Sequence, residues 1–313
     1  MSYSKLLAVL LASLLMGFFV TSCTEDDPVD PTNEKPAAPT NLMALSVNET
    51  TIHLKYDISP SEQNSLFQDY FLNYWVVGAT ANPMTMTVAK GVNPIAVTGL
   101  EQGKVYEFQL VARYTNNESS ETAATVKWSP AARFELTVND APIRVYETAS
   151  DFGSGLQIYY SNEDGPRART VSNSAEWDLG LRTVGNTIMF GSATKLGYNF
   201  STAPQPTFMM TDYFLADALN NVFDSKAMDE GDRNTKYAET TLDLATVAGS
   251  QNAIFYVRKY QPGKTRYNYA KVMVERNQTS GGFLHGSTPN RHLVLHISYQ
   301  RVEDVPYAKT AVN

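Results

Sequence analysis

The chain has 313 residues, of which 43% are hydrophobic and 18% are charged, and its formal net charge is −7. This length and this apolar content suffice for about two domains with cores of their own. The acidic charge argues against nucleic acid as a partner, because a phosphate backbone would repel the protein.

The N-terminus has the pattern of a bacterial lipoprotein signal peptide. Lys5 precedes an apolar run from Leu6 to Val20, and the sequence Val20-Thr21-Ser22-Cys23 then resembles a lipobox. About 15 apolar residues are fewer than the roughly 20 that a transmembrane helix needs. We therefore predict a signal peptide over residues 1–22, acylation of Cys23, and attachment to a membrane through the lipid. An acylated Cys23, the only cysteine, leaves no thiol for disulfides, metal binding or catalysis.

Residues 23–35 are predicted to form an acidic, proline-containing tether. They contain too few apolar residues to bury a core, so we expect them to stay extended. Their beginning, Thr24-Glu25-Asp26-Asp27, resembles the surface-export signal of lipoproteins in gut anaerobes, although it is also typical of a solvated linker. The resemblance implies that the protein is anchored in the outer membrane and exposed at the cell surface.

From Pro39 onward, apolar and polar residues alternate, which predicts half-buried β-strands separated by turns. In one of these strands Tyr106, Phe108 and Leu110 are expected to face the core. The predicted strands of this region are Ile52–Tyr56, Phe67–Val77, Lys104–Tyr114 and Glu121–Trp128.

A specific spacing marks the turn before the third of these strands. Leu100 stands six residues before Tyr106, which is the pattern of a tyrosine corner, where the phenol hydroxyl binds the backbone of the turn. With this corner and the strands around it, residues 36–134 resemble a fibronectin type III domain. Tyr56 stands where that family often has tryptophan. Members of the family are usually spacers or adhesion modules, so the resemblance implies no particular activity.

A second all-β domain is predicted over residues 136–302, followed by a tail over 303–313. One helix is predicted at Asp212–Val222, where Tyr213, Ala216 and Leu219 have helical spacing. The predicted fold class is therefore all-β, with at most one or two short helices. The strands predicted after the first domain are Phe134–Val138, Leu156–Tyr160, Trp177–Arg182, Asn186–Phe190, Ile254–Val257, Tyr269–Glu275 and Leu293–Gln300.

Three segments of this second domain resemble the HmuY family of haem-binding lipoproteins. They are Ala175–Arg182, which contains a Trp-Asp pair, Tyr269–Val274 and Leu293–Gln300. The resemblance implies an all-β hemophore that holds haem between two axial side chains. It also implies haem or a haem-carrying host protein as a partner, and an outer-membrane receptor that takes up the haem.

The resemblance further implies that the axial ligands, two histidines or two methionines, come soon after the Trp-Asp strand. No histidine lies between His53 and His285, so of these two forms only the methionine pair is available here. Methionine is also a common core filler, and that alternative stays open for each residue. The candidate ligands are Met189 with Met209 or Met210, and the candidate walls of the haem pocket are Phe190, Phe208 and Tyr213.

Three functions follow from these patterns. The leading hypothesis is a surface lipoprotein in which the fibronectin-like module acts as a spacer for a haem-binding domain, with haem iron as its only metal. The competing hypothesis is an adhesive protein that has lost the haem site and binds a glycan or a host protein. A carbohydrate-active enzyme is a third hypothesis and would need paired carboxylates facing a cleft. The sequence contains no nucleophile elbow, phosphate loop or zinc motif, and we therefore expect no enzymatic activity.

Overall fold

The computed structural model describes residues 34–136, 139–158, 165–224, 236–260 and 266–305. Within these ranges the chain is almost entirely β, as the sequence predicts, with 20 strands in four sheets and a few short 3-10 helices. None of the helices in these ranges is long and apolar enough to cross a membrane. The predicted signal peptide, the lipidation site Cys23 and most of the tether lie outside the described residues.

The first seven strands form a sandwich of two antiparallel sheets, which we call the module. One sheet has the order β1-β2-β5 and the other has the order β4-β3-β6-β7. Tyr106, Phe108 and Leu110 all point into its core, as the alternation predicts. The strands are β1 (Thr40–Asn48), β2 (Thr51–Asp57), β3 (Phe67–Val76), β4 (Met84–Ala89), β5 (Ile95–Val97), β6 (Tyr106–Tyr114) and β7 (Ala124–Trp128).

The predicted tyrosine corner is present at the start of β6. The backbone N–H of Glu101 donates to the hydroxyl of Tyr106 at 3.1 Å, and Leu100 is buried beneath the turn. Tyr56 replaces tryptophan without loss of packing. Its hydroxyl donates to the carbonyl of Val92 at 2.9 Å, and its ring packs edge-on against Tyr70 at 4.9 Å between centroids.

The second unit consists of two further antiparallel sheets. We call the eight-stranded one the central sheet; its order is β16-β14-β18-β19-β20-β8, with β15 paired to β18 and β9 paired to β20. The outer sheet has the order β11-β10-β12-β13-β17. The strands are β8 (Ala132–Phe134), β9 (Ile143–Tyr146), β10 (Gly155–Gln157), β11 (Arg167–Arg169), β12 (Leu179–Val184), β13 (Thr187–Ser192), β14 (Thr207–Met210), β15 (Phe214–Ala216), β16 (Tyr237–Ala238), β17 (Thr241–Asp243), β18 (Asn252–Tyr260), β19 (Tyr267–Val274) and β20 (His292–Gln300).

The short helices connect strands in both units and carry little of the core. All of them are of the 3-10 type, as is usual for brief connectors. They lie at Pro60–Gln63, Val171–Glu176, Ala193–Lys195, Leu219–Asn221 and Leu244–Thr246.

The central sheet is buried on both faces. In β18, Phe255 and Val257 point into an apolar cluster shared with the outer sheet, whereas Tyr256 between them belongs to the cluster that forms the core of the module. Residues 252–259 are accordingly all buried, the pattern of a strand that is covered on both sides. The module, the central sheet and the outer sheet therefore form successive layers.

Polar contacts also join the module to the second unit. The backbones of Ala44 and Asp224 exchange two hydrogen bonds, of 2.7 and 3.0 Å. Gln300 donates from Nε2 to Ser129 Oγ at 3.2 Å and to the carbonyl of Pro130 at 3.0 Å. The module is packed onto the face of the second unit through a continuous apolar core.

One prediction about local structure needs correction. The helix predicted at Asp212–Val222 is wrong: Phe214–Ala216 forms β15, which pairs with Asn252–Ile254, and a single 3-10 turn follows. Pairing with a long neighbouring strand outweighs the weak helical spacing of a few apolar residues. At the boundary between the two units, Ala132–Phe134 pairs with β20 and so belongs to the central sheet. The rest of the strand predicted there includes residues 137–138, which are outside the described ranges.

Candidate functional site

The three candidate haem ligands lie in three different apolar clusters. Met209 is buried between the central and outer sheets, and Met210 is buried on the side of the module. Adjacent residues of a strand point to opposite faces, so this separation follows from their positions in β14. Met189 is half-buried and packs against the cluster of Trp177, Ala193 and Leu196. The sulfur of Met209 lies over Gly191, where a Cβ would come within 2.7 Å of it.

The candidate wall residues are divided in the same way. Phe190 and Tyr213 belong to the cluster between the two sheets of the second unit, where the Phe190 ring lies 5.9 Å from the ring of Phe255. Phe208 packs on the side of the module, edge-on against Tyr267 at 5.8 Å. These aromatic side chains therefore do not form the two walls of one slot.

A small cavity lies beside Met209, Met210 and Tyr213. Its volume is about 70 Å³, whereas pockets for drug-sized ligands have about 300–1,000 Å³. Haem also needs its two axial side chains on opposite sides of one flat space. The described residues do not fit haem, because neither the methionines nor this cavity provide that space.

A larger cleft lies on the second unit and reaches β1 of the module at one end, and we call it the junction cleft. It consists of two adjoining open cavities of about 470 and 610 Å³, which share Arg133, Glu135 and Asn220. Both volumes fall in the range of ligand sites, although the two cavities are shallow and open to solvent. The other polar residues that line the cleft are Asn48, Asp140, Asp217, Asn252, Glu275, Arg276, Gln278 and His296.

Two carboxylates and an imidazole meet inside the junction cleft. His296 Nε2 lies 3.1 Å from Glu275 Oε2, and His296 Nδ1 lies 3.7 Å from Glu135 Oε1. The register of the central sheet creates this arrangement: His296 on β20 is paired with Met273 on β19, and Glu275 follows two residues later. Glu135 comes directly after the end of β8, the strand on the other side of β20.

Arg133 is held in place from both sides of the cleft. Its Nε donates to Glu135 Oε1 at 2.9 Å, and one of its terminal nitrogens donates to the side-chain oxygen of Asn220. The guanidinium of Arg276, by contrast, lies over a phenylalanine ring and donates to three backbone carbonyls, those of Gln251, Val247 and Gly281. These contacts stabilise the fold and leave Arg276 little capacity to bind a ligand. The side chains that remain available to a ligand therefore include more carboxylates than basic groups.

Comparisons with known proteins identify the module. Residues 37–128 match the family model for the fibronectin type III domain. Residues 37–128 are a fibronectin type III domain. Domains of this kind are typically non-catalytic binding or scaffold modules.

Solved structures of the same kind match this part of the chain. The third fibronectin III domain of the human KIAA0343 protein is 18% identical, with 31% of this chain and 84% of that chain covered and a TM-score of 0.28. The FN5 domain of Drosophila Lar is 24% identical, with 31% and 99% covered and a TM-score of 0.25. A comparison with curated proteins found no match.

The sequence does not predict the junction cleft, although it predicts the strands that form it. Glu135, Glu275 and His296 are polar residues at or near strand ends or on the outward side of a strand, positions that are common and carry no special signal. They meet only through the pairing of β8, β19 and β20. Among the described residues, no group of three or more His, Cys, Asp or Glu side chains is arranged to hold a metal ion.

Proposed function

We propose that this protein is a non-catalytic surface lipoprotein that binds an oligosaccharide in the junction cleft. One observation carries the proposal: an open cleft of ligand size lies on the second unit and reaches β1 of the fibronectin type III domain at one end. Inside it Arg133, Glu135 and His296 orient one another. The lipobox-like sequence before Cys23 and the acidic residues after it support attachment at the cell surface.

The chemistry of the cleft suits a neutral ligand with many hydroxyl groups. Glu135 and Glu275 offer carboxylate oxygens that accept hydrogen bonds, and the guanidinium of Arg133 donates them. The half-buried ring of Phe134 lines the same cleft and offers an apolar face. An anionic ligand is disfavoured by the excess of carboxylates, and an apolar ligand would leave these groups without partners.

The arrangement of the carboxylates supports binding without catalysis. Glycosidases use two carboxyl groups that stand on either side of the scissile bond. Here Glu135 and Glu275 both contact the same imidazole, that of His296, so the ring fills the space between them. A substrate would have to displace this ring before two acids faced the same bond.

Glycan-array screening followed by calorimetry with the selected oligosaccharide tests the proposal. Arg133→Gln should weaken binding about tenfold or more, because a hydrogen bond to a charged group contributes about 1.5–3 kcal/mol. Arg144→Gln, at an exposed position of β9 outside the cleft, is the matched control and should bind like the wild type. Equal affinity of the Arg133→Gln variant, or no binding to any member of a broad panel, would overturn the proposal.

Haem binding is a second hypothesis, and it is supported by the resemblance of Ala175–Arg182 and the two later segments to the HmuY family. On this hypothesis the protein would take haem from a host haem protein and pass it to an outer-membrane receptor. Titration of residues 24–313 with haemin is the direct test. A sharpened, shifted Soret band that is lost in Met189→Ala would favour haem over the oligosaccharide.

A further inference from the structure

A lysine and an aspartate meet in the interior of the second unit. Lys259 lies on β18, on the same face as Val257, and so points toward the outer sheet. Asp178 comes directly before β12 of that sheet. Their side chains are 8% and 0% exposed, and Lys259 Nζ is in direct contact with Asp178 Oδ1. This pair therefore bridges the central and outer sheets.

The carboxyl group of Asp178 is held in a fixed orientation. Its Oδ2 accepts a hydrogen bond of 2.6 Å from the backbone N–H of Ile158, and its own N–H donates to the carbonyl of Leu156 at 2.8 Å. The neighbouring Trp177 is fully buried, and its indole N–H donates to the carbonyl of Thr170 at 2.9 Å. The carboxyl group of Asp178 is thus fixed next to the amine of Lys259. The backbone N–H of Ile158 would stabilise the negative charge that develops on Oδ2 during an attack on the carboxyl carbon.

Burial favours the uncharged form of the Lys259 amine. It lowers the pKa of Lys259 to about 7, because an ammonium group loses its hydration in the interior. Transfer of one proton from Nζ to Oδ1 converts a costly buried ion pair into an amine beside a carboxylic acid. A neutral amine that touches a carboxyl oxygen is a nucleophile one bond away from the carbon that it would attack.

We propose that Lys259 and Asp178 condense into an intramolecular amide bond that covalently joins the two sheets. Nζ attacks Cγ, the Nζ–Cγ bond forms and the Cγ–Oδ1 bond breaks. Oδ1 leaves as water with two of the three hydrogens of the ammonium group, and the third stays on the amide nitrogen. Oδ2 becomes the amide oxygen and keeps its hydrogen bond from Ile158. The ion pair contains every atom of the amide and the water, so no oxidant, cofactor or other reactant is required.

Lys271 on β19 is an internal reference for this reaction. It is 1% exposed, and burial lowers its pKa to about 7 as well. Its Nζ donates at 3.0 Å to the backbone carbonyl of Val222, which is an unreactive amide. We therefore expect Lys271 to remain a free lysine in the same protein.

Mass spectrometry of the wild-type chain from residue 24 onward tests the proposal without any variant. The denatured protein should have its sequence mass less one water. Trypsin should release a branched peptide that joins residues 170–182 to residues 259–264, uncleaved after Lys259, whereas Lys271 should be cleaved normally. A protein at its full sequence mass, with a linear 170–182 peptide and cleavage after Lys259, would overturn the proposal.

Two variants test whether the lost water comes from Lys259 and Asp178. Lys259→Arg retains the positive charge but has no primary amine, so it should show the full sequence mass. Asp178→Asn can condense only by releasing ammonia, so its deficit should change from one water to one ammonia. A deficit of one water in either variant would refute the assignment, because the water would then come from another part of the chain.

Discussion

Replacement of Tyr256 by alanine should destabilise the fibronectin type III domain, although Tyr256 lies outside it. Tyr256 is fully buried on β18 and belongs to the same apolar cluster as the core of that domain. Its ring packs edge-on against Phe214 at 5.9 Å. Removal of a large aromatic side chain from such a site costs about 3–5 kcal/mol.

The size of this effect can be measured by calorimetry. In a cooperative unit of this size each kcal/mol lowers Tm by about 2–4 °C, so the variant should melt about 6–20 °C below the wild type. Because the core is continuous across the junction, we expect one transition that moves as a whole. Trp128 is fully buried in the fibronectin type III domain, and its emission should follow the same curve.

Phe255→Ala is the matched control. Phe255 is the preceding residue on β18 and is equally buried, but it points toward the outer sheet. In a single cooperative unit both variants lower the same transition. Two transitions, one of which stays at the wild-type temperature in Tyr256→Ala, would refute the shared core and would mean that the domain folds independently.

Three further predictions concern single groups. Tyr106→Phe removes the acceptor of the Glu101 N–H and should lower the free energy of unfolding in urea by about 1 kcal/mol; no change would mean that water replaces this bond at no cost. Burial lowers the pKa of Lys271 to about 7, from an ordinary value of 10.5. Between pH 7 and the ordinary lysine pKa, the unfolded chain therefore binds a proton at Lys271 that the folded chain lacks. Stability should therefore rise with pH in this window, by at most about 1.4 kcal/mol per unit, and Lys271→Met should flatten that slope in urea titrations at several pH values. Met189→Ala should leave the haemin spectrum of the protein unchanged, since Met189 packs apart from Met209; a loss of Soret intensity in this variant would contradict that result.

The features that the sequence predicted correctly depend on short stretches of chain. Alternation identified the inward face of β6, and the six-residue spacing from Leu100 to Tyr106 identified the tyrosine corner. Each of these patterns needs only the residues of one strand or one turn.

The features that it missed depend on contacts between distant parts of the chain. The helix predicted around Phe214 was wrong because β18, about 40 residues later, supplies a pairing partner. A packed layer on each side of β14 buries Met209 and Met210 in separate clusters, and the sequence of β14 alone does not predict those layers. The junction cleft is another such feature, since it depends on the register of three strands.

The burial of polar groups explains why the fibronectin type III domain has to be regarded as part of the second unit. Gln300 is fully buried, and its amide nitrogen donates to Ser129 and Pro130, which directly follow the last strand of that domain. If this amide stayed buried without these partners, the free energy of unfolding would fall by about 1–3 kcal/mol. Without the domain, the aromatic face around Tyr256 would also be exposed to water. The face of the central sheet around Tyr256 is therefore shielded from water by the fibronectin type III domain. Since Val47 and Asn48 of β1 line one of the two cavities together with Arg133 and Glu135, removal of the domain would remove both the cover and one end of the proposed binding site.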